Sequence, residues 1–546
     1  MKSISKHITR TLLIIILPAL LCLNNSCKKG WLDVNYNPSE LTDSSATPDL
    51  ILPLLLAGDG AWYGLRGTMD INQPLFNSWM GYWSNANMPT ESNQSTTYNI
   101  VGDFWNLNSN PTIAYKLLEE KASRTNQTFY VGIVKIIRAL TYSRNVDVYN
   151  NLPYSEAFDG QIRQPKYDSG QFIYEDLLKQ LTIAIDLIKN AQLDKNIRLS
   201  KADIMFNGNK TKWIKFANTL KLRLLIHQAN KQERSAYINA EIEKIVQEGS
   251  GFLNSGESAE VHPGYYSEKP NRYWQNYSKY DIYAYPGSFS AASANVFSLN
   301  LLKENNDPRI GFFYSPVENS LPANAAEPFS QPAPLTFRGN QFGLPINEAE
   351  YPFQGPAYVS QVGGITEYGP VTPQSTGVIK GYDMGMWILT SIESLFLQAE
   401  AIQRGWLPGS PEQAYKDAVK ESFRWLNVGG DSNRPELSDA VFQTWYSQQV
   451  AANNPNVSWA AAPDKYKLLM FQKYMAFNGI EPFEAYVDYR RNNAYPDIPL
   501  SADPNRASNK MPVRSLYPAN EYVNNAENVK AQGAINVFNS KIWWMP

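Results

Sequence analysis

Hydrophobic periodicity divides the chain into helical blocks and long irregular stretches. Apolar residues recur at the spacing of one helix face over 49–65 and again over 129–149. The same spacing predicts further helices at 172–189, 212–230, 234–248, 293–303, 386–404, 411–426, 437–450 and 464–478. Most of these segments follow one another in pairs, so the sequence predicts helical pairs over about 103–250 and 386–480.

One helical pair shows how these blocks should pack. The helices at 386–404 and 411–426 are joined by the turn Gly405-Trp406-Leu407-Pro408-Gly409, which makes a unit of roughly 35 residues like a tetratricopeptide repeat. A two-helix unit cannot bury its apolar face alone, so neighbouring units must stack. The predicted fold class is therefore all-α, with a tetratricopeptide-like scaffold of helical pairs.

Two stretches interrupt the periodicity, at about 67–110 and 250–380. Both are rich in Tyr, Trp, Asn, Gly and Pro, and the second contains a single predicted helix, at 293–303. Long irregular stretches inside a compact domain are usually functional. We therefore expect them to form a large loop-rich lobe that binds a ligand.

The N-terminus has the pattern of a bacterial lipoprotein signal. The basic residues Lys2, Lys6 and Arg10 precede an apolar run of about ten residues, which is too short to span a bilayer. Small and polar residues then lead to Cys27. We expect a signal peptide at 1–26, lipidation of Cys27, an extended tether at 27–45 and a folded domain at 46–546. The alternative is an ordinary secretory signal with an incidental cysteine.

Composition excludes several kinds of function. The net charge is −2, and removal of 1–26 would make it −5, so nothing favours nucleic-acid binding. After that removal Cys27 is the only cysteine, and the two remaining histidines argue against a His-rich metal centre. Asp33, Asn35 and Asn37 alternate as in a calcium loop but lack its downstream Gly and Glu, so we interpret them as a turn-rich linker. No metal and no cofactor are expected.

Six passages, in order along the chain, resemble the SusD/RagB family of outer-membrane lipoproteins, most closely its SusD-like branch. They are SCKKGWLDVNYNP (26–38), ALTYS (139–143), DVYNNLPYSEA (147–157), WIKFANTLKLRL (213–224), ESLFLQAEA (393–401) and FEAYVDYRR (483–491). The resemblance implies an all-α fold with about four tetratricopeptide-like units and a ligand-binding lobe. It also implies an outer-membrane protein, facing outwards, that partners a TonB-dependent, SusC-like β-barrel. It does not indicate which ligand is bound.

The first candidate ligand site lies in the early irregular stretch. It combines the aromatic residues Trp79, Trp83 and Tyr98 with the amides of Asn85 and Asn87. Sugar rings stack their CH faces on planar aromatics, and their hydroxyls need polar partners, so this composition suits a glycan. The alternative is that Trp79 and Trp83, four residues apart, form the buried face of a short helix.

The second candidate ligand site is denser in tyrosine. It includes Tyr265, Tyr266, Arg272 and Trp274, with further tyrosines up to 285. Each buried phenol needs a hydrogen-bond partner, so packing alone accounts poorly for so many. Arg272 could bind sugar hydroxyls or an acidic group in bidentate fashion. The alternative is that the loop packs its aromatics against the scaffold or a partner barrel.

Catalysis has little support in the sequence. Glu481, Glu484 and Asp488 share one helix face, as a glycosidase pair could, but acids at a helix start are also expected structurally. Phosphate loops, nucleophile elbows and metal-protease motifs are absent. The leading hypothesis is a non-enzymatic lipoprotein that binds an oligosaccharide and passes it to the transporter. The alternatives are the same architecture binding peptides or another nutrient, a glycan-degrading enzyme, and a purely structural scaffold.

Overall fold

A computed structural model describes 46–63, 72–84, 94–98, 111–157, 159, 161–278, 292–322, 325, 336–344, 353, 355, 357–363 and 377–546. The predicted signal peptide, Cys27, the tether, Asn85 and Asn87 lie outside these ranges, so the predictions on them stay predictions. The chain divides into two compact units, Met1–Thr47 and Pro48–Pro546, and every element below belongs to the second.

The described residues are mainly helical. In chain order the helices are α1 (Pro48–Tyr63), α2 (Asn72–Trp79), α3 (Gln94–Thr97), α4 (Pro111–Arg124), α5 (Thr128–Tyr149), α6 (Gly170–Lys189), α7 (Leu199–Ala202), α8 (Lys210–His227), α9 (Ser235–Glu248), α10 (Arg272–Tyr277), α11 (Val296–Glu304), α12 (Ile310–Phe313), α13 (Ser391–Gln403), α14 (Pro411–Trp425), α15 (Pro435–Ala451), α16 (Lys465–Ala476), α17 (Pro482–Arg491), α18 (Ala519–Asn524) and α19 (Ala526–Lys530).

The strands are short and pair two by two. They are β1 (Trp83–Ser84), β2 (Leu152–Pro153), β3 (Tyr167–Asp168), β4 (Ala259–Val261), β5 (Ser293–Ala294) and β6 (Met386–Leu389). The antiparallel pairs are β1 with β5, β2 with β3 and β4 with β6. Such small pairs fasten loops to the helical scaffold, and the predicted all-α fold class is confirmed.

The predicted pairing of helices is clearest between α5 and α6. A Cβ on Gly132, near the start of α5, would lie 2.6 Å from Ile188 near the end of α6. A Cβ on Gly170, at the start of α6, would lie 3.0 Å from Val146 near the end of α5. The two helices are therefore antiparallel, and glycine permits their close approach at both ends.

The helix predicted at 386–404 is wrong in its first four residues. Met386–Leu389 forms β6, and all four of its side chains are buried. An apolar run of this length does not distinguish a buried strand from a helix. The helix begins only after Thr390, whose side chain caps it by accepting a hydrogen bond from the backbone N–H of Glu393 (3.2 Å).

The C-terminal region contains two short helices, α18 and α19, that lie beyond the helices predicted from hydrophobic spacing. Its end packs into the scaffold, where the indole of Trp544 is fully buried and donates a hydrogen bond to Asp147 (2.7 Å). Across the described residues, none of the helices combines the length and apolarity needed to cross a membrane.

Candidate ligand-binding surface

The second predicted cluster spans a short turn, which carries Tyr265 and Tyr266, and the helix α10, which carries Arg272 and Trp274. Tyr266 and Lys269 exchange backbone hydrogen bonds (3.1 and 2.9 Å), which closes the turn. Asn271 then caps α10, since its side-chain oxygen accepts from the backbone N–H of Tyr273 (2.8 Å). The side-chain amide of Asn271 donates to the carbonyl of Met384 (2.9 Å), so the turn is fixed to the segment before β6.

Three residues of this cluster reach solvent. Tyr266 is 53% exposed, Arg272 is exposed and Tyr265 is half-buried. Burial raises the pKa of the Tyr265 phenol, and the nearby Arg272 guanidinium offsets part of that rise. The three side chains combine an accessible ring with hydrogen-bond donors. We define Tyr265, Tyr266 and Arg272 as the tyrosine surface.

The helix α10 turns its remaining aromatics inward. Trp274 is only 8% exposed and packs edge-to-face on Tyr382, with ring centroids 6.0 Å apart. Tyr273 is fully buried, and its hydroxyl donates to the carbonyl of Gly479 (2.8 Å). Arg272 therefore lies at the surface, whereas its aromatic neighbours on α10 are buried. Trp274 lies between the two, with only a small part of its side chain exposed.

The three aromatic residues of the first predicted cluster lie in the core. Trp79, Trp83 and Tyr98 are 3%, 1% and 1% exposed. Trp79 packs against Tyr98 and against Tyr486 of α17, with centroids 6.0 and 5.5 Å apart. This burial speaks against stacking of a ligand on the three rings and favours packing. They do not share one helix face, however, because α2 ends at Trp79 and Trp83 belongs to β1.

A continuous row of rings joins the two clusters below the surface. Trp83 contacts Tyr277 (4.9 Å between centroids), and Tyr277 contacts Tyr273 (5.0 Å). Tyr273 contacts Trp387 (4.9 Å), which contacts Trp425 (5.5 Å). All four contacts are edge-to-face. This geometry stabilises an aromatic pair by more than the burial of its apolar area alone. We call these five residues the aromatic row; it gives the tyrosine surface a rigid support.

Sequence reasoning missed Lys380, at one end of the aromatic row. Its ammonium lies 3.6 Å from the centroid of the Trp425 ring, a cation–π contact. Burial lowers the pKa of Lys380 to about 8, and the carboxylates of Glu260 and Glu421 offset part of that fall. A lysine within an irregular stretch gave no pattern that could have identified it.

Glu260 and His262 also lie beside the segment that fixes the turn. A Cβ on Gly385 would be 2.5 Å from the His262 ring and 3.0 Å from Glu260, so both side chains approach the backbone closely at this glycine. The His262 ring is 3.7 Å from the Glu260 carboxylate. Neither forms a metal site, since no group of three or more metal-binding side chains occurs within the described ranges.

A cavity of about 450 Å³ lies elsewhere, between α14 and α15. Its lining includes Lys416, Lys420, Glu436, Asp439 and Tyr446. None of its lining residues belongs to either predicted cluster. It is a polar groove of the helical scaffold and shares no residue with the tyrosine surface.

Comparison with known proteins decides the family. The sequence model of a SusD-like family, described as "Starch-binding associating with outer membrane", matches 60–518. The chain belongs to this SusD-like family. The predicted membership of the SusD/RagB family is confirmed, and the family is one that associates with the outer membrane. No curated protein sequence matches the chain.

Solved structures show the same fold in other SusD-like proteins. A SusD/RagB family protein from Bacteroides thetaiotaomicron has 21% identity and a TM-score of 0.68, covering 92% of this chain and 99% of its own. A SusD homologue from Bacteroides fragilis has 19% identity and a TM-score of 0.67, covering 91% and 99%. A chitin-binding SusD homologue from Flavobacterium johnsoniae has 19% identity and a TM-score of 0.66, covering 90% and 98%.

The carboxylates of this SusD-like protein that could suggest acid–base chemistry hold the scaffold together. Arg223 donates two hydrogen bonds of 2.6 Å to Glu393 of α13, and Glu484 accepts from His227 (3.0 Å). His227 also lies 3.4 Å from Asp147 of α5. All five side chains are buried. This buried ion network therefore links α5, α8, α13 and α17 within the core.

The pKa values of the network follow from this packing. Burial lowers the pKa of His227, but Asp147 and Glu484 outweigh it and raise the value to about 9. Burial opposes ionisation of Glu484, yet Arg223 and His227 together hold its pKa well below the usual range. Burial and the nearby Glu393 raise the pKa of Glu481 well above that of a free carboxyl. His227 and Glu484 are paired with each other, and all three side chains are buried rather than open to a substrate.

Proposed function

We propose that this SusD-like protein is a lipoprotein, anchored through Cys27 and facing the cell exterior, that binds an oligosaccharide without hydrolysing it. It passes the bound sugar to a TonB-dependent, SusC-like transporter. The observation that carries the sugar-binding step is the tyrosine surface, where the exposed Tyr266 lies on the same turn as Tyr265, and the Tyr265 phenol lies near the Arg272 guanidinium. The chitin-binding relative is consistent with a glycan ligand.

The geometry explains how such a surface could bind a sugar. The apolar CH face of a pyranose ring would lie against Tyr266, while its hydroxyls would receive hydrogen bonds from the Arg272 guanidinium and the Tyr265 phenol. The cap at Asn271 fixes this turn before any ligand arrives, so little conformational entropy is lost on binding. Trp274, at the boundary, supports the turn from below rather than contacting the sugar.

Calorimetry with a panel of oligosaccharides and peptides tests the proposal. We expect an oligosaccharide to bind, and Tyr266→Ala to weaken its affinity roughly tenfold, or about 1.4 kcal/mol. Tyr522→Ala is the matched control, because Tyr522 is similarly exposed (46%) but belongs to α18. Binding of peptides alone would overturn the sugar assignment in favour of peptide uptake.

Chromatography of the sugar after long incubation tests the non-enzymatic part. We expect the oligosaccharide to be recovered intact, because Glu484 and Asp488 are engaged by cationic side chains of the core. Hydrolysis that is lost in Asp488→Asn would contradict this and support a glycan-degrading enzyme.

A further inference from the structure

An exposed aliphatic patch lies where the folded body begins. Leu50 and Leu54, one helical turn apart on α1, are 44% and 64% exposed. Leu193 and Ile197, in the segment before α7, are 56% and 59% exposed. We name these four residues the basal patch. Clustered exposed aliphatic side chains mark surfaces that contact something apolar.

Hydrogen bonds and an ion pair fix the two halves of the basal patch beside each other. Arg198 forms an ion pair with Asp49 of α1 (3.3 Å). The backbone N–H of Ile197 donates to the side chain of Gln127 (3.1 Å), and the Tyr130 hydroxyl donates to the Ile197 carbonyl (2.7 Å). The patch is therefore held on a defined framework and is not the tip of a free loop.

Exposed lysines lie in the same segment as the basal patch. Lys195 and Lys201 are exposed next to Leu193 and Ile197 in the sequence, whereas Arg198 is paired with Asp49. The stretch 189–212 has six lysines and arginines against two aspartates, in a chain whose net charge is −2. One of those aspartates, Asp203, is buried and accepts from the Trp213 indole (2.7 Å), while the other, Asp194, is exposed, so the surface of the segment keeps an excess of positive charge.

The basal patch also includes the first helix after the predicted lipid anchor in the sequence. Twenty residues separate Cys27 from Pro48, where α1 begins. Even a fully extended chain of twenty residues reaches at most about 70 Å, so a lipid on Cys27 would keep the start of α1 within that distance of the membrane. Asp49 and Leu50 follow that segment directly.

We propose that the basal patch rests on the anionic lipid surface of the outer membrane. Its aliphatic side chains lie at the boundary between headgroups and acyl chains, and its cations face lipid phosphates. This combination of exposed aliphatic and basic residues is that of proteins that lie on a membrane without crossing it. The inference rests on the lipid anchor of the proposed function. It adds a second contact, which orients the body on the membrane.

Fluorescence quenching by lipid tests this contact in the full lipidated protein. The body has no cysteine after Cys27, so Leu54→Cys can carry a single polarity-sensitive fluorophore. The matched control is Val523→Cys, which is 78% exposed on α18. In vesicles of phosphatidylglycerol and brominated phosphatidylcholine, we expect roughly twofold quenching at position 54 and none at 523. The double substitution Lys195→Glu and Lys201→Glu should abolish quenching at position 54, whereas Lys530→Glu should leave it unchanged.

The outcomes separate the contact from the anchor. Flotation of the protein with vesicles, without quenching at position 54, would overturn the contact and keep the anchor. Absence of flotation would contradict both. Equal quenching at 54 and 523 would show an unoriented body and overturn the contact. Protection of position 54 only after a transporter barrel is added would assign the patch to that protein instead.

Discussion

Both predicted clusters are rich in aromatic residues, but only the second has an aromatic ring at the surface. Trp79 and Trp83 are buried, whereas Tyr266 is half exposed on a turn. The difference comes from their partners: α2 lies against α17, where Phe76 packs on Phe483 and Tyr486 with centroids 5.1 Å apart. Among the described residues, the turn before α10 has no helix covering Tyr266. Aromatic composition alone therefore does not distinguish a core from a binding surface.

Removing a ring from the buried cluster should have the largest effect on stability. Trp83→Ala deletes the first ring of the aromatic row and leaves a cavity beside Tyr277, so we expect a loss of about 3–5 kcal/mol in the free energy of unfolding. Urea unfolding followed by circular dichroism measures it. A loss below about 1 kcal/mol would contradict a packing role for Trp83.

The buried ion network should give the core a pH dependence that the surface lacks. His227 has its pKa raised from the ordinary 6.5 to about 9, so protonated His227 stabilises the folded state below about pH 6.5. That contribution, on the order of 3 kcal/mol, should disappear as the pH rises from about 6.5 through about 9.

Urea midpoints measured at pH 6.5 and 9.5 test this sign. His262→Gln is the control, because the His262 side chain is 55% exposed beside Glu260 and should leave the pH dependence unchanged. His227→Gln should flatten it. A wild-type protein that becomes more stable between these two pH values would show that His227 is not a protonated member of the network.

The surface cluster should contribute least to stability. Because Tyr266 is exposed, Tyr266→Ala should change the free energy of unfolding by less than about 0.5 kcal/mol while it weakens sugar binding. Thermal unfolding and calorimetry on the same preparation separate the two effects. A large stability loss without any change in affinity would place Tyr266 with the packed cluster and remove the distinction between the two regions.

Local patterns predicted the scaffold well. The helical pairs follow from apolar spacing within each segment, as in α6 with Leu177, Leu181 and Ile188 on one buried face. β6 was misassigned because four buried apolar residues suit either a strand or a helix, and its partner β4 lies more than 120 residues earlier.

The candidate site was harder to predict because distant contacts decide its exposure. Tyr98 is buried against a distant part of the chain. Its hydroxyl accepts a hydrogen bond from the backbone N–H of Ser501 (2.8 Å), which is some 400 residues away. The cation–π contact of Lys380 likewise depends on Trp425, which lies on α14. Neither relationship has a local signature in one sequence. The residue types indicated that aromatic side chains form contacts in both clusters. Only the structure showed which of these rings are accessible to solvent.

Hydrogen exchange with a bound oligosaccharide tests the central claim most directly, because it reads both clusters in one experiment. If the tyrosine surface binds the sugar, backbone amides over 262–276 should exchange more slowly with ligand present, while those over 72–84 remain unchanged. Ligand-dependent protection over 72–84, with none over 262–276, would contradict the account.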